Sequence, residues 1–209
     1  EHDWFLKEYL TDNRNLGLYT VDTATNEKGD DTRYMESLRL RIQDMGERAH
    51  GVISCGHYHL PDFAQVTRIQ DLIAEDATYN LKEDSDDVWW LEDPDHGITF
   101  ESLCKIDRRL KEGFDGGVYR MRAVSKAAFI KATTLSHADF DPLFSGTGPV
   151  AIIVGLGGGT GSGMFIDLAR KIHALNRSRP IWLFGVLPAS TEGEDERLNA
   201  AIALTELEY

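Results

Sequence analysis

Cysteine is scarce: the 209 residues hold two, Cys55 and Cys104, far apart in the chain. They make no disulfide framework, which points to a reducing compartment and a cytoplasmic location. Cations are scarce as well: 22 Lys+Arg against 35 Asp+Glu leave a formal charge of -13. Nonspecific nucleic-acid binding needs a cationic surface that displaces counterions, so this balance argues against it. An acidic surface does keep a protein soluble. No apolar run reaches the ~20 residues of a membrane span. The opening EHDWFLKEYL has neither an initiator Met nor a signal-peptide pattern. Helix-like text, LNAAIALTELEY, runs up to Tyr209. The expectation is therefore a piece of a longer protein. Internal repeats and low-complexity tracts are missing too.

Hydrophobic residues make up 42% of the chain, enough for a core in one domain or a large part of one. LGLYTVDTA reads as a strand and loop, and the text after it turns helix-like. GVISCGHYH reads as a second strand, closed by Leu60-Pro61. DFAQVTRIQDLIAEDA carries apolar residues at helical spacing. Residues 80–97 form an acidic stretch around Trp89 and Trp90, expected as an exposed loop. FESLCKIDRRLKEG predicts a helix stopped at Gly113, and RMRAVSKAAFIKATTL another. GPVAIIVG and RPIWLFGVLPA read as strands buried on both faces. MFIDLARKIHAL and ERLNAAIALTELEY read as the helices that follow them. Strand, loop, helix, repeated, predicts an α/β fold: an open, mostly parallel, Rossmann-like sheet with helices on both faces.

The densest signal is AIIVGLGGGTGSGMFIDLARKI, residues 151–172, with six glycines between Gly155 and Gly163. A glycine loop between a strand and a helix presents backbone N–H groups and the positive end of the helix dipole to an anion. Thr160 and Ser162 add hydroxyl donors. Spacing excludes two common phosphate loops. The P-loop needs Lys after its final glycine, and Met164 follows Gly163. The dinucleotide fingerprint from Gly155 and Gly157 needs a third Gly where Thr160 stands. The loop has no cation of its own, so amides, hydroxyls, the helix dipole and a metal must hold the charge. The plainer alternative is a turn that only lets a helix pack closely on its strand.

GGGTGSG, Gly157 to Gly163, resembles the signature of the tubulin/FtsZ family of GTP-binding filament proteins at every place. The resemblance implies a phosphate cradle formed by Gly157, Gly158, Gly159, Thr160, Gly161, Ser162 and Gly163. GFDGGVYRMRAVSKAAF is similar to the family's second phosphate-facing loop, which implies that Gly116, Gly117 and Arg122, with Arg120, face the terminal phosphate. Met121 stands where the family has Gly. STEGEDERLNAAIALTEL resembles the ribose loop and its helix, which implies ribose acceptors at Glu192 and Glu196. Bacterial members carry Arg at the place of Glu196. LYTVDTATNE resembles a segment that implies Mg²⁺ binding by Asp22; Ala24 replaces a second acid that many members have.

The resemblance implies residues 1–209 as a partial GTP-binding domain, lacking an N-terminal strand and a C-terminal domain. The full-length protein would bind GTP or GDP with Mg²⁺, self-associate head to tail and hydrolyse GTP once assembled. No residue here is assigned a catalytic role, because the activating acidic loop of the family has no counterpart in the chain. Two other readings stay open: a nucleotide-binding regulator that does not polymerise, and an unrelated α/β enzyme using the loop for another phosphate. Cys55, His57 and His59 alternate on one strand; packing plus surface histidines is favoured there over zinc.

Overall fold

The computed structural model describes residues 16–46, 53–74 and 100–208. The acidic stretch at 80–97 lies outside them. The first strand, β1 (Leu16–Asp22), leads into helix α1 (Lys28–Gly46), whose first turn holds Asp30 and Asp31 where the helix dipole favours acids. Strand β2 (Ile53–His59) returns parallel to β1, in register from Leu16 beside Ile53 to Asp22 beside His59. Ile42 of α1 closes a small apolar cluster with Leu16, Leu18, Leu38 and Cys55.

The helical spacing after β2 resolves into two short helices, α2 (Leu60–Phe63) and α3 (Ile69–Ala74). Pro61 suits the first turn of α2. Gln65, at φ 56°, turns the chain left-handed and ends any continuous helix. Helix α4 (Phe100–Ile106) stops earlier than its sequence suggests, and Arg108–Lys111 form a 3₁₀ turn capped by Asp107. Helix α5 (Arg122–Leu135) and the short α6 (Asp141–Phe144) follow.

Strand β3 (Val150–Gly155) feeds the glycine loop and helix α7 (Thr160–Leu175). Strand β4 (Ile181–Val186) pairs parallel with β3, and α8 (Glu194–Leu207) completes the described chain. The architecture is α/β with parallel strand pairs. Among the described residues the strands form two two-stranded sheets, β1–β2 and β3–β4, rather than one open sheet.

The main core lies where α5 and α7 pack together beside β3. Phe114, Phe129, Phe140, Phe165, Leu156 and Ile172 are fully or nearly fully buried in it. Tyr58 stacks on Phe140 at 4.7 Å and links the first sheet to this core. One expectation is corrected: β3 and β4 are not buried on both faces. Ile152 and Val154 face the core, while Ile153 is 75% exposed, Trp182 61% and Phe184 52%. Alternation sends every second side chain to the other face, where no described element buries these residues.

Candidate functional site

Three loops meet at the C-terminal end of β1 and the start of α7. Thr23, fully buried just after β1, places Oγ1 2.7 Å from Thr160 Oγ1. The second loop, residues 113–121, is tied to the first by Thr25 N–H donating to Phe114 O at 2.8 Å and Asn26 N–H to Asp115 O at 3.1 Å. Gly117, at φ 74°, brings this loop against Thr23; a Cβ there would stand 3.2 Å from Thr23 Oγ1. The third loop is the glycine run. Its helix begins at Thr160 with no side-chain cap at Gly159. The bond from Gly163 N–H to Gly159 O opens the helical ladder, so the N–H groups before it have no intrahelical acceptor.

The glycines of the run have different duties. Around Gly158 a Cβ would meet nothing within 4 Å, so its backbone is open to approach. Gly159 packs its α-carbon against the backbone of Arg120, where a Cβ would come within 2.7 Å. Gly161 backs onto Val154, and Gly163 onto the carbonyl of Arg122, where a Cβ would stand only 2.2 Å away. Gly157 fits beneath Glu196 and Pro188. Close helix and loop packing thus accounts for Gly161 and Gly163, and access for Gly158. The two hydroxyls also part: Thr160 lines a cleft, while Ser162 is buried and folds back to donate to Gly158 O.

That cleft, of about 450 Å³, is bounded by Gly116, Tyr119, Arg120, Arg109, Gly159 and Thr160. Tyr119 and Arg120 have φ of 49° and 66°, a left-handed step that side-chain-bearing residues rarely take. Each strained carbonyl is held from outside. Arg109 Nη1 donates to Tyr119 O at 3.1 Å, and Asn199 Nδ2 to Arg120 O at 2.9 Å. Asn199 also donates to Gly157 O at 3.2 Å, locking this loop to the glycine run. Arg109 is fixed by Asp107, whose carboxylate accepts from Nε and Nη2. Those bonds hold the Asp107 carboxyl below its ordinary value and raise Arg109 above its own.

Beside the cleft, Glu196 is 8% exposed. Its Oε1 lies 2.5 Å from Arg120 Nη2, and its Oε2 is buried without a hydrogen-bond partner. A buried acceptor with an open lone pair suits a hydroxyl donor from a ligand. The N-terminal amides of α7 and the guanidinium groups of Arg109 and Arg120 gather donors at this cleft, with the Glu196 carboxylate behind Arg120.

Residues 122–209 match the family model described as tubulin like. This part of the chain is similar to that family. No match was found among curated proteins or among solved structures.

The matched segment contains the glycine run, Glu192, Glu196 and Asn199; Thr23, Arg109 and the 113–121 loop are brought to it from outside. Of the residues expected from sequence, Gly116, Gly159 and Thr160 line the cleft, and Gly117 supports its wall. Arg122 is committed elsewhere: its guanidinium donates to Ser162 O at 2.8 Å and pairs with Glu206 of α8. Glu192 is exposed and accepts from Ala189 N–H at 3.3 Å, closing its own turn. Asp22 ends β1 on the face of Thr20, and its charge acts on His57; the adjacent Thr23 is the residue that reaches Thr160.

Cys55, His57 and His59 have separate surroundings. Cys55 packs in the apolar cluster under α1, where burial pushes its thiol up. His57 Nδ1 lies 2.8 Å from Thr20 Oγ1, and His59 Nδ1 3.1 Å from Asp62 Oδ1. Among the described residues, no group of three or more His, Cys, Asp and Glu side chains is placed to hold a metal ion. Among the same residues, no helix is long and apolar enough to cross a membrane.

Sequence reasoning missed Thr23, Arg109 and Asn199. Asn199 lies inside the segment resembling the ribose-loop helix, where the charged side chains carry the resemblance. Nothing local marks Thr23, whose partner lies 137 residues away, and the local pairing of Arg109 with Asp107 does not announce its reach to Tyr119 O, 10 residues on.

Proposed function

We propose that this chain binds a guanine nucleotide, GTP or GDP, with its phosphates at the start of α7. The observation that supports this most is the meeting of three loops on one helix N-terminus, beside a buried carboxylate oxygen with no partner. The guanine base rests on the tubulin-like match. The amides of 157–161 and the Thr160 hydroxyl receive phosphate oxygens; Glu196 accepts from a ribose hydroxyl, and Glu192 from a second after its turn opens. Gly116 and Gly117 let the second loop approach the terminal phosphate, and Arg122 steadies the first turn of α7 from behind. All four strands belong, on this reading, to one open sheet whose C-terminal ends carry the site, as in other α/β nucleotide folds.

Mg²⁺ in a nucleotide site needs only one or two carboxylates, the rest of its shell being phosphate and water. Asp22 is the candidate, acting through water. The ion would neutralise phosphate charge. The wider role is that of a cytoplasmic cytoskeletal protein that self-associates head to tail, an arrangement that makes open filaments. GTP hydrolysis would belong to the assembled state, with no general base assigned here.

Titration with GTP in the presence of Mg²⁺, followed by competition, tests the core of this reading. GTP and GDP should bind and displace each other, and ATP or NAD should not compete. Absence of GTP binding, or equal competition by ATP, would overturn it. GTP-dependent pelleting of the longer protein tests assembly; binding without pelleting would favour a regulator.

A further inference from the structure

Burying a carboxylate is unfavourable unless a partner compensates it. Glu196 is buried, 11% exposed at its side chain, and its ion pair with Arg120 is the compensation described for it. Arg120 is 55% exposed at its side chain and sits between two clefts. One is the cleft of Thr160 and Gly159; the other, of about 340 Å³, runs past Met121, Asp195 and Leu198. Arg109 and Arg120 line both. The two arginines differ in freedom. Arg109 is gripped by Asp107 through its Nε and Nη2 and by Tyr119 O through Nη1. Arg120 is fixed at its backbone by Asn199, while its guanidinium has one ion-pair partner among the described residues, Glu196.

We propose that Arg120 is a two-position switch that couples phosphate recognition to sugar recognition in the site. It rests on Glu196 in the free protein and turns to the terminal phosphate of a bound nucleotide, while Arg109 stays in place as the fixed cation. This rests on the nucleotide reading above. Turning Arg120 away leaves the buried Glu196 carboxylate without its cation. A sugar hydroxyl donating to Glu196 offsets that loss; a bare polyphosphate does not. Leaving a buried charged group unpaired is what makes such a site reject the ligand that lacks the matching group. The strained step at Tyr119 and Arg120 sets Arg120 on the wall of the Thr160 cleft as well as against Glu196, and its carbonyls are clamped by Arg109 and Asn199.

Inorganic tripolyphosphate and GTP separate the two halves of the coupling. In the unaltered protein GTP should bind far more tightly than tripolyphosphate. Glu196→Gln keeps the shape but removes the buried charge, so Arg120 is released at little cost. Tripolyphosphate should then bind roughly tenfold more tightly, while GTP should bind more weakly because a charge-assisted bond is lost. This opposite movement is not produced by damage to the fold, which weakens both ligands. Arg120→Met, checked for an intact melting transition, should weaken both. Tripolyphosphate affinity unchanged or reduced in Glu196→Gln, with GTP still bound by the parent protein, overturns the switch and leaves the nucleotide reading standing. Failure of the parent protein to bind either ligand overturns both.

Discussion

Thr23 and Thr160 touch hydroxyl to hydroxyl at 2.7 Å across 137 residues of sequence. Thr23 is fully buried and Thr160 borders the cleft, so the first braces the second. Thr160→Val removes the cleft hydroxyl and should weaken GTP binding about tenfold, the worth of one hydrogen bond to a charged group. Thr23→Val leaves that hydroxyl in place and should weaken binding less. Calorimetric titration of the two variants checks the order; equal losses would mean that Thr160 does not touch the ligand.

Gly163 offers a contrast with Gly158. Alanine in a helix interior is ordinarily better than glycine by about 1 kcal/mol. At Gly163 the added carbon would lie 2.2 Å from the Arg122 carbonyl, a backbone atom that cannot swing aside. Overpacking of this kind costs about 1–3 kcal/mol and should outweigh the propensity gain. Gly163→Ala should therefore melt several degrees lower. Gly158→Ala meets nothing within 4 Å and should melt near the parent temperature while binding GTP more weakly. Thermal melts with and without GTP distinguish the packing glycine from the access glycine.

Asn199 holds two loops at once through one amide group. Asn199→Ala leaves the Arg120 and Gly157 carbonyls without that donor, at a cost of about 1–3 kcal/mol. Asn199→Asp should be worse, since a carboxylate facing carbonyl oxygens repels them. Melting temperature should fall in the order Asn, Ala, Asp, and GTP affinity with it. Parent-like affinity in Asn199→Asp would show that the left-handed step does not depend on this clamp.

His57 sets an acid-side limit. Burial lowers its pKa below the ordinary 6.5, against the opposing pull of Asp31 and Asp22 and with smaller help from His59 and Lys28. As pH falls below that value the unfolded chain takes up the proton before the folded one does. Stability is therefore lost from about pH 6.5 down to the folded pKa, and rises again with pH across the same window. His57→Gln should flatten this step in a series of melts against pH. An unchanged profile would place the acid sensitivity elsewhere.

The site was legible in sequence where chemistry is local. A glycine run between an apolar strand and an amphipathic helix announced a loop that opens a helix, and the resemblance at Gly116-Gly117 announced a second loop beside it. What the run could not tell is which glycine serves the ligand and which serves packing. That depends on Arg122 and Val154, which approach from other elements. Arg122 looked like a phosphate partner by position, yet its guanidinium spans Ser162 O and Glu206. Arg109 and Asn199 were illegible because their role is to hold carbonyls of a strained step, and strain has no signature in residue type. The alternation of β3 and β4 was hidden by uniformly apolar text. Ile152 and Ile153 read alike, although one faces the core and the other is 75% exposed.

That uncovered pleat has a consequence for how the protein behaves in a tube. Ile153, Trp182, Phe184 and Val186 form an exposed apolar strip on a short parallel pair. Such strips draw molecules together, while the net charge of -13 drives them apart. The repulsion reaches only about 10 Å at 0.1 M salt and shrinks as salt rises. Ionic strength should therefore govern colloidal behaviour: clustering through that one face is expected to grow as salt screens the charge.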